Sequence, residues 1–175
     1  MKRLLFPIIL FIILVIEGVA IDFLPNFLAS SDMLITPHWI FIFLLLVSLL
    51  YDTNDTFFAI VYGVAFGLLI DIVYSGVLGV YMFVYPFTLY IVHLIKRFVQ
   101  TNFYMIMIVT AISLFIIEVL LFMVFSIVGT IDVSNMYFVL HRFIPTLIAN
   151  VLFLIPAYII FANRMIRLRQ EQLEN

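Results

Sequence analysis

Of the 175 residues, 67% are hydrophobic and only 10% charged, against roughly 25% charged in an ordinary soluble domain, which excludes a soluble monomer. The formal net charge of −2 offers no nucleic-acid surface, and with no cysteine there is no disulfide, thiolate nucleophile or Cys-ligated metal site. The length allows one compact bundle without a separate soluble domain.

A helix needs roughly 20 apolar residues to cross a hydrocarbon core about 30 Å thick, and such runs follow one another here with short polar breaks. The first expected span covers about 4–24, after the basic start Lys2-Arg3. Gly18-Val19-Ala20 has the form of a signal-cleavage site, but Glu17 sits just before it and the apolar run exceeds a usual signal core, so the segment reads as a retained span. The second covers about 33–51, with Thr36 as cap and Pro37 as the first helical residue. The third, about 56–74, ends just before Ser75-Gly76, and the fourth, about 77–95, contains Pro86 and is expected to bend there. The fifth covers about 103–128, capped by Thr101 or Asn102. The sixth, about 138–162, carries Pro145 and Pro156 and is expected to be the most bent; 163–175 forms a short cytoplasmic tail with helical character.

Lys2, Arg3, Lys96, Arg97, Arg164, Arg167 and Arg169 all fall on one side of this six-span scheme, and only Arg142 falls on the other. Because cytoplasmic loops retain Lys and Arg, the sequence predicts an all-α polytopic membrane protein, a six-transmembrane-helix bundle with both termini cytoplasmic. The segments assigned outside, Asp22 to Asp32 and Gly129 to Asn135, contain Asp but no cation. Tyr81, Tyr85, Tyr104 and Tyr137 are candidates for anchors at the membrane interface.

The third span carries small residues at four-residue steps, Ala59, Gly63 and Gly67, leading to Asp71. Each step turns about 40° beyond a full turn, so the four positions form one winding stripe. Small residues let backbones approach closely, and such contact drives association where lipid supplies no hydrophobic force. The stripe serves packing within the bundle or against another chain.

Three acids lie inside spans, Glu17, Asp71 and Glu118. A charge near mid-membrane costs at least about 2.5 kcal/mol, so buried acids face partners. Arg142 is the one outward cation, and the expectation is a charge network in which it pairs with one or more of these acids; the alternative leaves Asp71 in interfacial water and Glu118 protonated. A transport path is disfavoured because the span centres are mostly Leu, Ile, Phe and Val without convergent polar groups. His38, His93 and His141 stand near span ends on different segments and read as edge residues, and neither a His-Glu-x-x-His pair, a Gly-x-Ser-x-Gly elbow nor a phosphate loop is present. No enzyme activity and no cofactor is expected.

The run Gly63-x-x-x-Gly67-Leu68-Leu69-Ile70-Asp71, continued by Gly76 and Gly79, resembles the signature of the rod shape-determining protein MreD family. Length, basic start, six-span hydropathy, the Pro37 opening of the second span and the basic tail are similar to that family from end to end. The resemblance implies a bacterial inner-membrane component of the cell elongation machinery. It implies work alongside MreC, MreB filaments, the glycosyltransferase RodA and a class B penicillin-binding protein, as an adaptor that holds a partner's transmembrane helix. MreD-like proteins are also similar in layout to the substrate-binding subunits of energy-coupling-factor vitamin transporters. In that second reading the outward acids and Trp39 line a ligand pocket.

Overall fold

A computed structural model of the protein describes residues 5–28, 35–98, 102–128 and 142–174, with the backbone alone for 21–28. Six helices, and no strand, occur among the described residues: α1 (Leu5–Leu28), α2 (Trp39–Tyr51), α3 (Phe58–Ser75), α4 (Val80–Ile95), α5 (Phe103–Ile127) and α6 (Ile144–Leu173). Of these, α3, α5 and α6 are each long and apolar enough to cross a membrane. The cations Lys2 and Arg3, the loops containing Asp32 and Gly129 to Asn135, and Thr101, Tyr137 and His141 lie outside the described residues.

Helix α2 is the axis of the molecule. Every side chain from Ile40 to Val47 is fully buried, as expected of a helix that is apolar all round. At 13 residues it is about 20 Å long, shorter than the hydrocarbon core. Because the other helices wrap it, α2 does not have to meet lipid along its length. The lipid-type surface belongs to its neighbours: on α1, Ile8, Phe11, Ile12, Val15, Ile16 and Val19 are all at least half exposed and recur at helical spacing, a face that suits hydrocarbon.

The start of α2 differs from the sequence expectation, whereas the expected start of the sixth span, about 138, lies outside the described residues. Helix α2 begins at Trp39, with His38 before it, and not at Pro37. The segment 35–38 stays out of the helix, its backbone bonded to α6: Thr36 N–H donates to Thr146 Oγ1 at 3.1 Å, His38 N–H donates to Asn150 Oδ1 at 2.7 Å, and Asn150 Nδ2 donates to Thr36 O at 2.9 Å. In α6, Pro145 occupies the first turn of the described α-helical part, where the missing N–H costs nothing, and Pro156 lies inside the helix. The tail is continuous with α6, which runs unbroken to Leu173. Tyr81 and Tyr85 are core residues and not interface anchors. Of the four tyrosines, Tyr104 is 72% exposed.

Successive helices alternate in direction. Phe6 of α1 packs on Tyr51 at the end of α2, Gln172 of α6 bonds Tyr51 Oη at 2.8 Å, and Lys96 after α4 bonds the carbonyl of Thr53 before α3. These contacts define one end, called here the Lys96 end; the opposite, Asp71 end gathers the starts of α2, α4 and α6.

Candidate functional site

At the Asp71 end, α3 widens into a turn in which Gly76 N–H donates to Asp71 O, five residues back. The chain then reverses through Gly76 at φ 67° and Gly79 at φ 94°, left-handed backbone that strains a residue carrying a Cβ. The turn aims the start of α4 at the Asp71 side chain. Oδ2 accepts from the N–H groups of Gly79 (2.9 Å) and Met82 (3.1 Å), and Oδ1 accepts from Tyr81 N–H (2.9 Å) and Ser75 Oγ (3.2 Å). A carboxylate on one helix thus caps the next, satisfying N–H groups that have no partner within the helix and sitting at its positive dipole end. That accounts for a fully buried aspartate.

The small-residue stripe faces α4 of the same chain. A Cβ on Gly67 would come within 2.6 Å of Tyr81 O and 2.8 Å of Met82 Cα, which are backbone atoms that cannot move aside. At Gly63 the nearest obstacle is Leu89 Cδ1 at 2.9 Å, the end of a flexible side chain. Ala59, fully buried, donates its N–H to Asp52 Oδ2 at 3.0 Å. Gly67 is therefore the position where only hydrogen fits.

Glu17 and Glu118 are buried around the start of α2. Glu17 Oε2 accepts from Ile40 N–H at 2.9 Å, so a carboxylate from α1 caps α2 as Asp71 caps α4. Glu118 uses its two oxygens on two side chains: Oε1 lies 2.9 Å from His38 Nε2, and Oε2 accepts from Arg142 Nε at 3.1 Å. His38 Nδ1 lies 2.9 Å from Tyr85 Oη. A continuous polar chain therefore runs from Tyr85 on α4 through His38 and Glu118 on α5 to Arg142 before α6. The four residues expected to form one charge network thus divide: Arg142 meets Glu118, whereas the described bonds of Glu17 and Asp71 go to backbone N–H groups and Ser75.

A cavity of about 360 Å³ opens at this end among Glu17, Pro37, Tyr74, Tyr81, Phe125 and Arg142. Trp39 is instead stacked on Phe153, ring centroids 4.8 Å apart.

At the Lys96 end a third carboxylate repeats the capping device. Asp52 Oδ2 holds the Ala59 N–H at the start of α3, and its Oδ1 is buried without a hydrogen-bond partner among the described residues. Burial pushes this carboxyl up to about 6, against the opposing pull of the Ala59 N–H and then of the Lys96 charge. Lys96 Nζ donates to Thr53 O at 2.7 Å and meets His93 Nδ1 at 3.0 Å; burial pushes its amine below the usual lysine range, and Asp52 pulls it back.

Sequence reasoning treated His38 as an edge residue, Tyr85 as an interface anchor and Gly18 as part of a cleavage-like site, and gave Asn150 and Asp52 no role. A Cβ on Gly18 would run into the ring and hydroxyl of Tyr74, whose Oη donates to Leu14 O at 2.9 Å; the glycine inside the first span was the signal. For His38 the available signal was a polar residue directly before an uninterrupted apolar helix.

The rod shape-determining protein MreD family model matches residues 2–166. The Rod shape-determining protein MreD of Bacillus subtilis (strain 168) is 26% identical over 175 residues, covering 98% of this chain and 100% of that protein. No solved structure matches. The family is one of shape-determining structural proteins and not a known enzyme family. With the family match extending over nearly the whole chain, and with apolar helices of membrane-crossing length, this membrane protein belongs to the MreD family and has its role in rod shape determination.

Proposed function

We propose that the chain is a non-enzymatic scaffold that crosses the bacterial inner membrane six times as a single domain. In this reading the Lys96 end and the tail from 163 are cytoplasmic, and the Asp71 end faces outward. The scaffold couples MreB filaments inside to peptidoglycan synthesis outside, with MreC as its direct partner and RodA and a class B penicillin-binding protein in the same assembly. The observation that carries the reading is the family match over residues 2–166. The cation pattern supports the orientation. The role of Ala59, Gly63, Gly67, Asp71, Gly76 and Gly79 is to lock α3 onto α4, so that the bundle offers partners a fixed surface.

Depletion of the protein in a rod-shaped host, with recovery of a tagged copy in mild detergent, tests this. Rounded cells and co-recovery of the elongation proteins are expected. The cavity beside Glu17 and Arg142 favours a second reading, a substrate-binding subunit of an energy-coupling-factor vitamin transporter. Unchanged cell shape with an ATPase module in the eluate would select it.

A further inference from the structure

At the Lys96 end, α6 outruns its own apolar part and continues as an Arg-bearing stretch that still reaches α2, where Gln172 bonds Tyr51. Its 30 residues measure about 45 Å, more than the hydrocarbon core requires. Along the outrun lies a cavity of about 510 Å³, walled by Leu5 of α1 and by one face of α6. The lining residues Ile160, Asn163, Arg164, Arg167, Leu168 and Glu171 follow a spacing of three and four, so they form a single stripe along the helix. The stripe is graded. Ile159 and Ile160, 70% and 64% exposed, stand at its start. Asn163, Arg164 and Arg167 follow, all exposed, and Glu171 closes it. From Ile160 to Arg164 is about 6 Å along the axis and from Arg164 to Glu171 about 10 Å.

This order is that of an anionic phospholipid seen from the membrane outward: chains, then phosphate. We propose that this groove binds an anionic phospholipid, with phosphatidylglycerol as the probe, the acyl ester region lying against Leu5 and Ile160 and the phosphodiester between the Arg164 and Arg167 guanidinium groups. Guanidinium forks match phosphate oxygens in charge and geometry, and basic pockets between membrane helices recognise anionic headgroups. The exposed Ile159 and Ile160 at the membrane end of the stripe suit acyl chains, which a bare phosphate ion or an acidic peptide does not have. The groove thereby fixes where α6 leaves the membrane, which goes beyond the scaffold reading and does not depend on its partners.

The test uses the full chain in nanodiscs and in mild detergent. Native mass spectrometry counts retained lipid, and thermal midpoints are recorded on adding phosphatidylglycerol, phosphatidylcholine, inorganic phosphate or a polyglutamate peptide. The wild type is expected to retain phosphatidylglycerol and to be stabilised by it alone. Arg164→Gln/Arg167→Gln, both on the surface, is expected to bind it about tenfold more weakly with an unchanged midpoint in lipid-free detergent, while Arg169→Gln, outside the lining, keeps the wild-type response. Equal retention by the double variant, equal loss in Arg169→Gln, or an equal response to phosphate or polyglutamate would overturn the proposal.

Discussion

The two helix starts at the Asp71 end are held in opposite ways. The start of α4 is held by Asp71, four to eleven residues away in sequence from all its described partners. The start of α2 is held by Glu17, Glu118, Asn150 and Thr146, with sequence separations from 23 to 112 residues. Both solve the same problem, a polar helix end in surroundings without water, where unsatisfied N–H groups are costly. The first is a local device that a short motif can encode; the second exists only once four helices have assembled.

The largest effect should come from closing the space of the local device. Gly67→Leu places a side chain where the Tyr81 backbone stands, and the protein is expected not to accumulate in the membrane. Gly67→Ala should cost about 3 kcal/mol as overpacking against backbone, and Gly63→Ala, opposed by a movable Leu89 methyl, less than about 1 kcal/mol. Thermal midpoints in detergent measure the contrast. Equal effects at the two glycines would mean that the stripe works against another chain and not against α4.

Asp71→Asn comes next. The amide supplies one acceptor oxygen where the carboxylate supplies two that together take four hydrogen bonds, so at least one buried N–H faces an NH₂ group. At about 1–3 kcal/mol for each stranded group, a loss of about 3 kcal/mol is expected. Asp71→Glu should not rescue it, because the longer side chain overshoots the α4 start.

Legibility followed the same division. The Gly63/Gly67/Asp71 stripe and the Gly76/Gly79 turn could be read from sequence because glycine spacing, a helix end and an acid lie within one window. The role of Asp71 could not: an acid inside a span suggests a cation partner, and the partners turned out to be backbone N–H groups, which no residue type advertises. His38 was invisible for the converse reason. Its described side-chain partners, Tyr85 and Glu118, stand 47 and 80 residues away, and the one nearby signal, its place directly before an uninterrupted apolar helix, does not say which residues it meets. Pro37 misled because proline marks a helix start only to within a few residues.

The long-range device is sharpened by a double-mutant cycle on His38→Ala and Glu118→Gln, read as thermal stability in detergent. Residues that share one buried network couple by about 0.5–3 kcal/mol, and a coupling near 2 kcal/mol is expected. Zero coupling would reduce the chain from Tyr85 to Arg142 to independent contacts.

The smallest effect concerns Asp52, which applies the local device at the other end and leaves one oxygen unbonded among the described residues. Its carboxyl titrates near 6 in the folded protein against an ordinary 3.8, so between those values the folded state holds a proton that the unfolded state has released. Stability linked to this group is therefore greatest below about pH 4 and falls as pH rises through 6. Asp52→Asn keeps an oxygen for the Ala59 N–H and cannot ionise. Its stability relative to wild type should be lowest near pH 4 and improve on raising the pH to 7.5, by somewhat less than about 3 kcal/mol. A difference that stays flat across this range would mean that the buried oxygen is stabilised when charged, with Lys96 as the group positioned to do it. Asp52 would then hold its helix start as Asp71 does and not as a strained copy of it.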